Sequence, residues 1–216
     1  GVDLDRFEPT SRAAARLALG LALDEPIVLF VGRIEPLKGI DLLIDALSYV
    51  EPLGTGSPAT LLIVGGDALA QREVEDLRHR AARTGVADRV RFVGSAPREM
   101  LPLFYSAADV CVVPSHYESF GLVAVEAMAC GTPVVASRVG GLTTTVQDGV
   151  TGYLVPWRCP EPFAERIELL LANPYLRDSL GRAARRSVER LRWGHIAERV
   201  LALYRELAGA VAPGRA

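Results

Sequence analysis

The segment HYESFGLVAVEAMACGTPVVAS, residues 116–137, holds two glutamates eight positions apart, Glu118 and Glu126, around a mostly apolar run. A helix is expected to begin at about Ser119 or Phe120. Glu126 then lies roughly two turns inside it, on the face that carries Leu122, and a charge there needs a polar partner. A ribose diol donating two hydrogen bonds is one such partner; a neighbouring arginine is the other. Glu118, in the loop ahead of the helix, either accepts hydroxyls from a sugar or caps the helix as an ordinary exposed carboxylate. The amides of Phe120, Gly121 and Leu122 fall in the unpaired first turn, and Gly121 leaves room for an anion beside them.

A second stretch, GRIEPLKGIDLL (32–43), offers the complementary charge. Gly32 allows close approach, Arg33 follows it, and Lys38 sits at the start of the next helix. Two cations facing a helix N-terminus make a site for a diphosphate. The alternative is that both are surface charges, with Arg33 paired to Glu35. No GKS or GKT ending is present and no G-x-G-x-x-G follows the first strand, which speaks against a P-loop and against a nicotinamide or flavin site.

These residues are positioned by a regular alternation. Runs at 26–32, 60–66, 89–94, 109–115 and 132–137 read as strands, with a short sixth at 152–156. Their near-continuous hydrophobicity suits strands covered on both faces. Helical patterns fall at 38–50, 70–84, 97–107 and 120–130, with a weaker turn at 143–147. Further helices are expected at 161–172, 174–190 and 194–209. The pattern predicts one α/β domain: a doubly wound, Rossmann-like parallel sheet of about six strands with extra C-terminal helices. Ligands of such sheets bind beyond the carboxyl ends of the strands, so the loops to read are 32–38, 65–69, 93–97, 114–121 and 138–142. Asp67 and His116 border that region in supporting or surface roles, and Gly140 and Gly141 serve a tight turn.

The 216 residues carry a net charge of −2, so no overall basic field recruits nucleic acid. Arg182, Arg185, Arg186, Arg190 and Arg192 recur at helical spacing and read as a solvated face. Cys111, Cys130 and Cys159 contain no CxxC pair and suit buried thiols in a reducing compartment. His79, His116 and His195 have no metal-ligand spacing, so neither a metal nor another cofactor is expected. The apolar runs are too short to cross a bilayer. A cytoplasmic location is expected, with peripheral membrane association of a full-length enzyme left open.

The glutamate pair resembles the E-x7-E motif of the retaining glycosyltransferases of family GT4 (glycosyl transferases group 1), which have the two-domain GT-B fold. GVDLDRFEP, GRIEPLKG, LLIVGG, RVRFVG, ADVCVVPSHYESFGLVAVEAMACGTPVVAS and VGGLTTTVQDGVTGYLVP resemble family segments in the same order, across nearly the whole chain. The VGGL and DGxTGxLV wording is similar to the branch containing sucrose-phosphate synthases and mycothiol-pathway GlcNAc transferases.

The resemblance implies a donor-binding C-terminal GT-B domain spanning 1–216, transferring a hexosyl unit from a nucleotide sugar, UDP-linked rather than GDP- or ADP-linked. Arg33 and Lys38 would hold the donor diphosphate and Glu118 the sugar hydroxyls, these three forming the catalytic set. The amides of Phe120, Gly121 and Leu122, next to Ser119, would meet sugar and distal phosphate. Glu126 would bind the ribose, and Gly32, Val93, Gly94, Met100 and Leu101 would flank the donor. The nucleotide sugar is the substrate, and no cofactor is implied. GVDLDRFEP resembles the linker that follows the acceptor domain, so the N-terminal half is expected to be absent and the isolated chain nearly inactive. The apolar face of the last helix (Ile196, Val200, Leu203, Leu207) would then favour self-association. A glycoside hydrolase also uses two carboxylates, but neither has a route to the second face of a sugar. A nucleotide-sugar epimerase or hydrolase of the same fold, and a non-catalytic regulatory domain, are the alternatives.

Overall fold

The computed structural model describes residues 1–52, 56–66 and 68–210. Six strands form one all-parallel sheet: β1 (Ile27–Val31), β2 (Thr60–Val64), β3 (Val90–Gly94), β4 (Val110–Val113), β5 (Val134–Ser137) and β6 (Gly152–Val155). Their order is β3-β2-β1-β4-β5-β6. Ile27 pairs with Thr60 on one side of β1, and Val28 pairs with Val110 on the other. The four central strands are buried along their whole length, as their continuous apolar runs require. β3, at an edge, alternates instead: Arg91 and Val93 are exposed while Phe92 is partly covered.

The alternation of side chains divides the core between two faces. Leu29, Val31, Cys111 and Val113 meet α4 (Leu101–Ala107), α5 (Leu122–Ala129) and α8 (Pro174–Val188). Val28, Phe30, Val110 and Val112 meet α2 (Ile40–Tyr49), α3 (Gln71–Arg83) and α7 (Pro160–Ala172). Helices on both faces of a parallel sheet make the doubly wound architecture that the alternating pattern predicts. The short α6 (Leu142–Thr145) and the long α9 (Trp193–Ala210) fall where turn and helix were expected.

Among the described residues, one α-helix is additional to that pattern. α1 (Arg12–Ala18) is an alanine-rich helix capped by Ser11, whose hydroxyl oxygen accepts from Ala14 N at 3.2 Å. It rests on the charge of Asp109: the Asp109 carboxylate accepts from Arg16 and from Ile27 N, each at 2.8 Å, tying α1 to the start of β1. Cys111 and Cys130 are buried as expected, and burial pushes the Cys130 thiol up to about 12. Cys159 is exposed, because it sits at the N-cap of α7 rather than inside an element.

Candidate donor-binding site

The sheet order reverses between β1 and β4, and the loops leaving their carboxyl ends diverge around a crevice. Loop 32–39 and loop 114–121 nevertheless touch at one point. His116 N donates to Leu37 O at 2.9 Å, and Gly39 adopts φ 67° directly under Pro114. A Cβ at Gly39 would overlap the Pro114 carbonyl oxygen, so only glycine lets the two loops meet.

That contact brings two of the expected residues together. Lys38 Nζ donates to Glu118 Oε2 at 2.8 Å, with side chains 22% and 17% exposed. One N–H of the ammonium is committed to the carboxylate; among the described residues its other donors and the second glutamate oxygen have no partner and can engage a ligand. The backbone behind Glu118 is held from below. Gly141 N donates to Glu118 O at 2.8 Å, and Thr145 Oγ1 donates to Phe120 O at 2.9 Å. A Cβ at Gly140 or Gly141 would overlap the carbonyl oxygen of Glu118 or Ser119. The glycine pair thus permits close packing under the Glu118 loop as well as a turn.

α5 starts at Leu122, later than the expected Ser119 or Phe120. Gly121 is its N-cap with φ 83°, a left-handed residue that bends the chain into the helix. The first intrahelical bond runs from Val125 N to Gly121 O. The unpaired first-turn amides are therefore those of Leu122, Val123 and Ala124; Ser119 and Phe120 precede the helix as an exposed bend.

Glu126 lines a cleft of about 320 Å³ together with Phe120, Leu122, Arg98 and Trp193. Its side chain is 13% exposed. Tyr105 Oη donates to Glu126 Oε2 at 2.9 Å, and Arg98 Nη2 stands 3.8 Å from Oε1. Burial raises the Glu126 carboxyl above its ordinary value; the Tyr105 hydrogen bond and the Arg98 charge pull it partly back. The carboxylate has an arginine neighbour and faces a cleft as well.

Arg33 behaves differently. Its side chain is 80% exposed and its Nη2 lies 3.0 Å from Glu35 Oε1, the surface pairing that the loop also allowed. The same residue borders a neighbouring cleft of about 520 Å³ with Gly32, Gly65, Ser95, Ala96 and Leu101. Val93 and Gly94 were expected to flank a ligand there. Val93 instead stands exposed at the sheet edge, and Gly94 O accepts from Gly65 N at 2.8 Å; Ser95 and Ala96 supply the wall. Met100 and Leu101 both pack against the core, and of the two only Leu101 also lines the cleft. Asp67 lies outside the described residues. His116 joins the loops through its backbone, and its ring packs on Trp157 with centroids 5.0 Å apart.

Sequence reasoning missed Tyr105, Arg98 and Trp193. A buried tyrosine hydroxyl needs a partner, which is a signal for Tyr105, but LPLFYSAA reads first as a core helix. Trp193 reaches the cleft because Val2 pairs with Arg192 just ahead of α9, a long-range contact that no local pattern announces. Among the described residues, no group of three or more His, Cys, Asp or Glu side chains could hold a metal ion, and no helix is long and apolar enough to cross a membrane.

Comparison with known proteins places this geometry in context. The profile described as "Glycosyl transferases group 1" matches residues 11–187. A D-inositol 3-phosphate glycosyltransferase of Segniliparus rotundus is 46% identical over 218 residues, covering 100% of this chain and 48% of that protein. The chain therefore spans about half the length of such relatives. The structure of a sucrose-phosphate synthase from Thermosynechococcus elongatus superposes with a TM-score of 0.86 at 44% identity, covering 97% of this chain and 52% of that one. Anabaena HepE, solved in complex with UDP and glucose, gives a TM-score of 0.85 at 27% identity over 95% of this chain and 55% of that one. With a profile match across most of its length and relatives of this identity, the chain belongs to the glycosyl transferases group 1 family.

Proposed function

We propose that this chain is the donor-binding half of a retaining, metal-independent glycosyltransferase that moves a hexosyl unit from a UDP-sugar to an acceptor hydroxyl, the acceptor being read by a further domain. The observation that carries this reading is the Lys38–Glu118 pair, 2.8 Å apart across the reversal of the sheet and beside the glycine-capped mouth of α5. The complex of Anabaena HepE with UDP and glucose supports the choice of nucleotide.

Lys38 and the first-turn amides of α5 take the diphosphate, Glu118 takes sugar hydroxyls, and Glu126 takes the ribose. Arg33 joins them by swinging from Glu35, an inexpensive move for a side chain 80% exposed. Ser95, Ala96 and Leu101 flank the base. As the bond from the anomeric carbon to the phosphate oxygen breaks, negative charge grows on the departing diphosphate. A fixed ammonium and helix-end amides favour that state over the ground state. Transfer also needs the acceptor held in place, an effect worth about 7–11 kcal/mol of barrier, so the chain alone turns over negligibly.

Titration calorimetry with UDP, GDP and ADP tests the reading. UDP binds tightest at one site, and Lys38→Ala weakens it roughly tenfold or more, the scale of one sheltered charge-assisted hydrogen bond. Absence of binding to all three nucleotides overturns the proposal in favour of a non-catalytic domain.

A further inference from the structure

We propose a second anion site, distinct from the donor crevice, in a cleft of about 390 Å³ between α1 and α8 that takes a small phosphate-bearing molecule. Four arginines line it, Arg12, Arg182, Arg185 and Arg186, with Asp178 the one acidic residue in its lining. Such a concentration of positive charge is unexpected in a chain with net charge −2. Arg182 and Arg186 are exposed, in keeping with the solvated face read from sequence, and with the half-buried Arg185 they stand opposite Arg12 across a concavity.

Two of the four are anchored on its walls. Arg12 lies between Asp109, with Nε 3.4 Å from Oδ1, and Asp178, with Nη2 3.8 Å from Oδ1. Arg185 Nη1 donates to Phe7 O and Ala129 O, each at 3.0 Å, and its Nη2 stands 3.6 Å from Glu189. The other two, Arg182 and Arg186, are exposed on α8 at i,i+4 spacing and make no hydrogen bond or ion pair among the described residues. Like charges at that spacing disfavour a helix unless an anion sits between them. Guanidinium forks match phosphate oxygens in pairs. Two anchored arginines on the walls fix the positive field, and the two exposed, unpaired ones beside them are free to close on a phosphate group.

The floor, Cys130 to Thr132, is at the C-terminal end of α5, whose other end faces the donor crevice. The eight-residue helix separates the two sites by about 12 Å. None of the four arginines lines either donor cleft.

Inorganic pyrophosphate is the probe, titrated calorimetrically into the Arg33→Ala/Lys38→Ala variant so that the donor crevice contributes little. One-site binding is expected. Adding Arg182→Gln and Arg186→Gln, singly and together, weakens it, the pair at least tenfold, with thermal melting unchanged because both side chains are exposed. Arg190→Gln, a charge removed outside the cleft, leaves it unaltered. Absence of binding, or an equal loss in the Arg190 control, overturns the site. Vesicles containing phosphatidic acid form the other arm: binding to them without binding of soluble pyrophosphate overturns the small-molecule assignment in favour of a lipid headgroup. The outcome is independent of whether UDP binds at the donor crevice.

Discussion

The Tyr105 hydroxyl, on a ring with no solvent exposure, stands 2.9 Å from Glu126 Oε2, and a glutamate inside an apolar helix thereby gains a fixed orientation. The same residue is tied at its other end, where Tyr105 O accepts from Thr132 Oγ1 at 2.6 Å. The phenol thus holds one glutamate oxygen, while the other lies 3.8 Å from Arg98 Nη2 at the cleft that Glu126 lines. Tyr105 is a positioning residue for the carboxylate assigned to the ribose.

Tyr105→Phe removes this constraint with little change in shape. UDP affinity falls roughly tenfold, in line with loss of a hydrogen bond to a charged group. The preference for UDP over 2′,3′-dideoxy-UDP shrinks alongside it, a change that a purely structural role does not produce. Calorimetry with the two nucleotides reads both effects.

Glu126→Gln separates stability from binding through pH. The folded carboxyl titrates above its ordinary value of 4.5, chiefly because of burial, so the folded state holds this proton more tightly than the unfolded chain. Stability therefore falls as pH rises from the unfolded value through the folded one, and the penalty is constant above it. The glutamine variant is more stable than the parent at pH 7, and its advantage disappears once pH drops below about 4.5. UDP affinity declines at the same time. Urea unfolding at pH 7 and pH 4 checks the sign; a variant less stable at pH 7 contradicts it.

Gly39→Ala tests the contact between the two loops. The residue must keep φ 67° while its new Cβ meets the Pro114 carbonyl oxygen. A left-handed alanine costs about 1–2 kcal/mol before any overlap. The loss is expected to exceed about 2 kcal/mol, lowering Tm by roughly 4 °C or more. UDP binding weakens too, because Lys38 and Glu118 are set by this contact. A melting curve and a UDP titration on the same sample read both.

The apolar side of α9 is exposed: Val200, Leu203, Tyr204 and Leu207 are 42–66% accessible. At high concentration the chain self-associates through this stripe. Leu203→Glu/Leu207→Glu restores the monomer in sedimentation velocity, with the melting temperature unchanged.

Much of this was legible from residue order. All six strands fall within the predicted runs: the four central ones because a strand buried on both faces is apolar at every position, and the two edge strands because a short run of largely apolar residues bounded by Gly or Pro still reads clearly. The helices between them followed from amphipathic spacing. α1 escaped because alanines carry no apolar stripe to count; what orders it is Asp109, far along the chain. The start of α5 shifted because Gly121 bends the backbone, a conformation that α6 supports from beneath.

Local chemistry therefore sufficed for the layered sheet and for the loops at the carboxyl ends of its strands, while the naming of Lys38, Glu118 and Glu126 as candidates came from the family resemblance added to their spacing. What those residues touch was settled elsewhere. Loop 32–39 and loop 114–121 adjoin because the strand order reverses between β1 and β4, and that order is a property of how helices cover both faces. Lys38 meets Glu118, Arg33 stays with Glu35, and Tyr105 grips Glu126 through distances across space that no periodicity along the chain encodes.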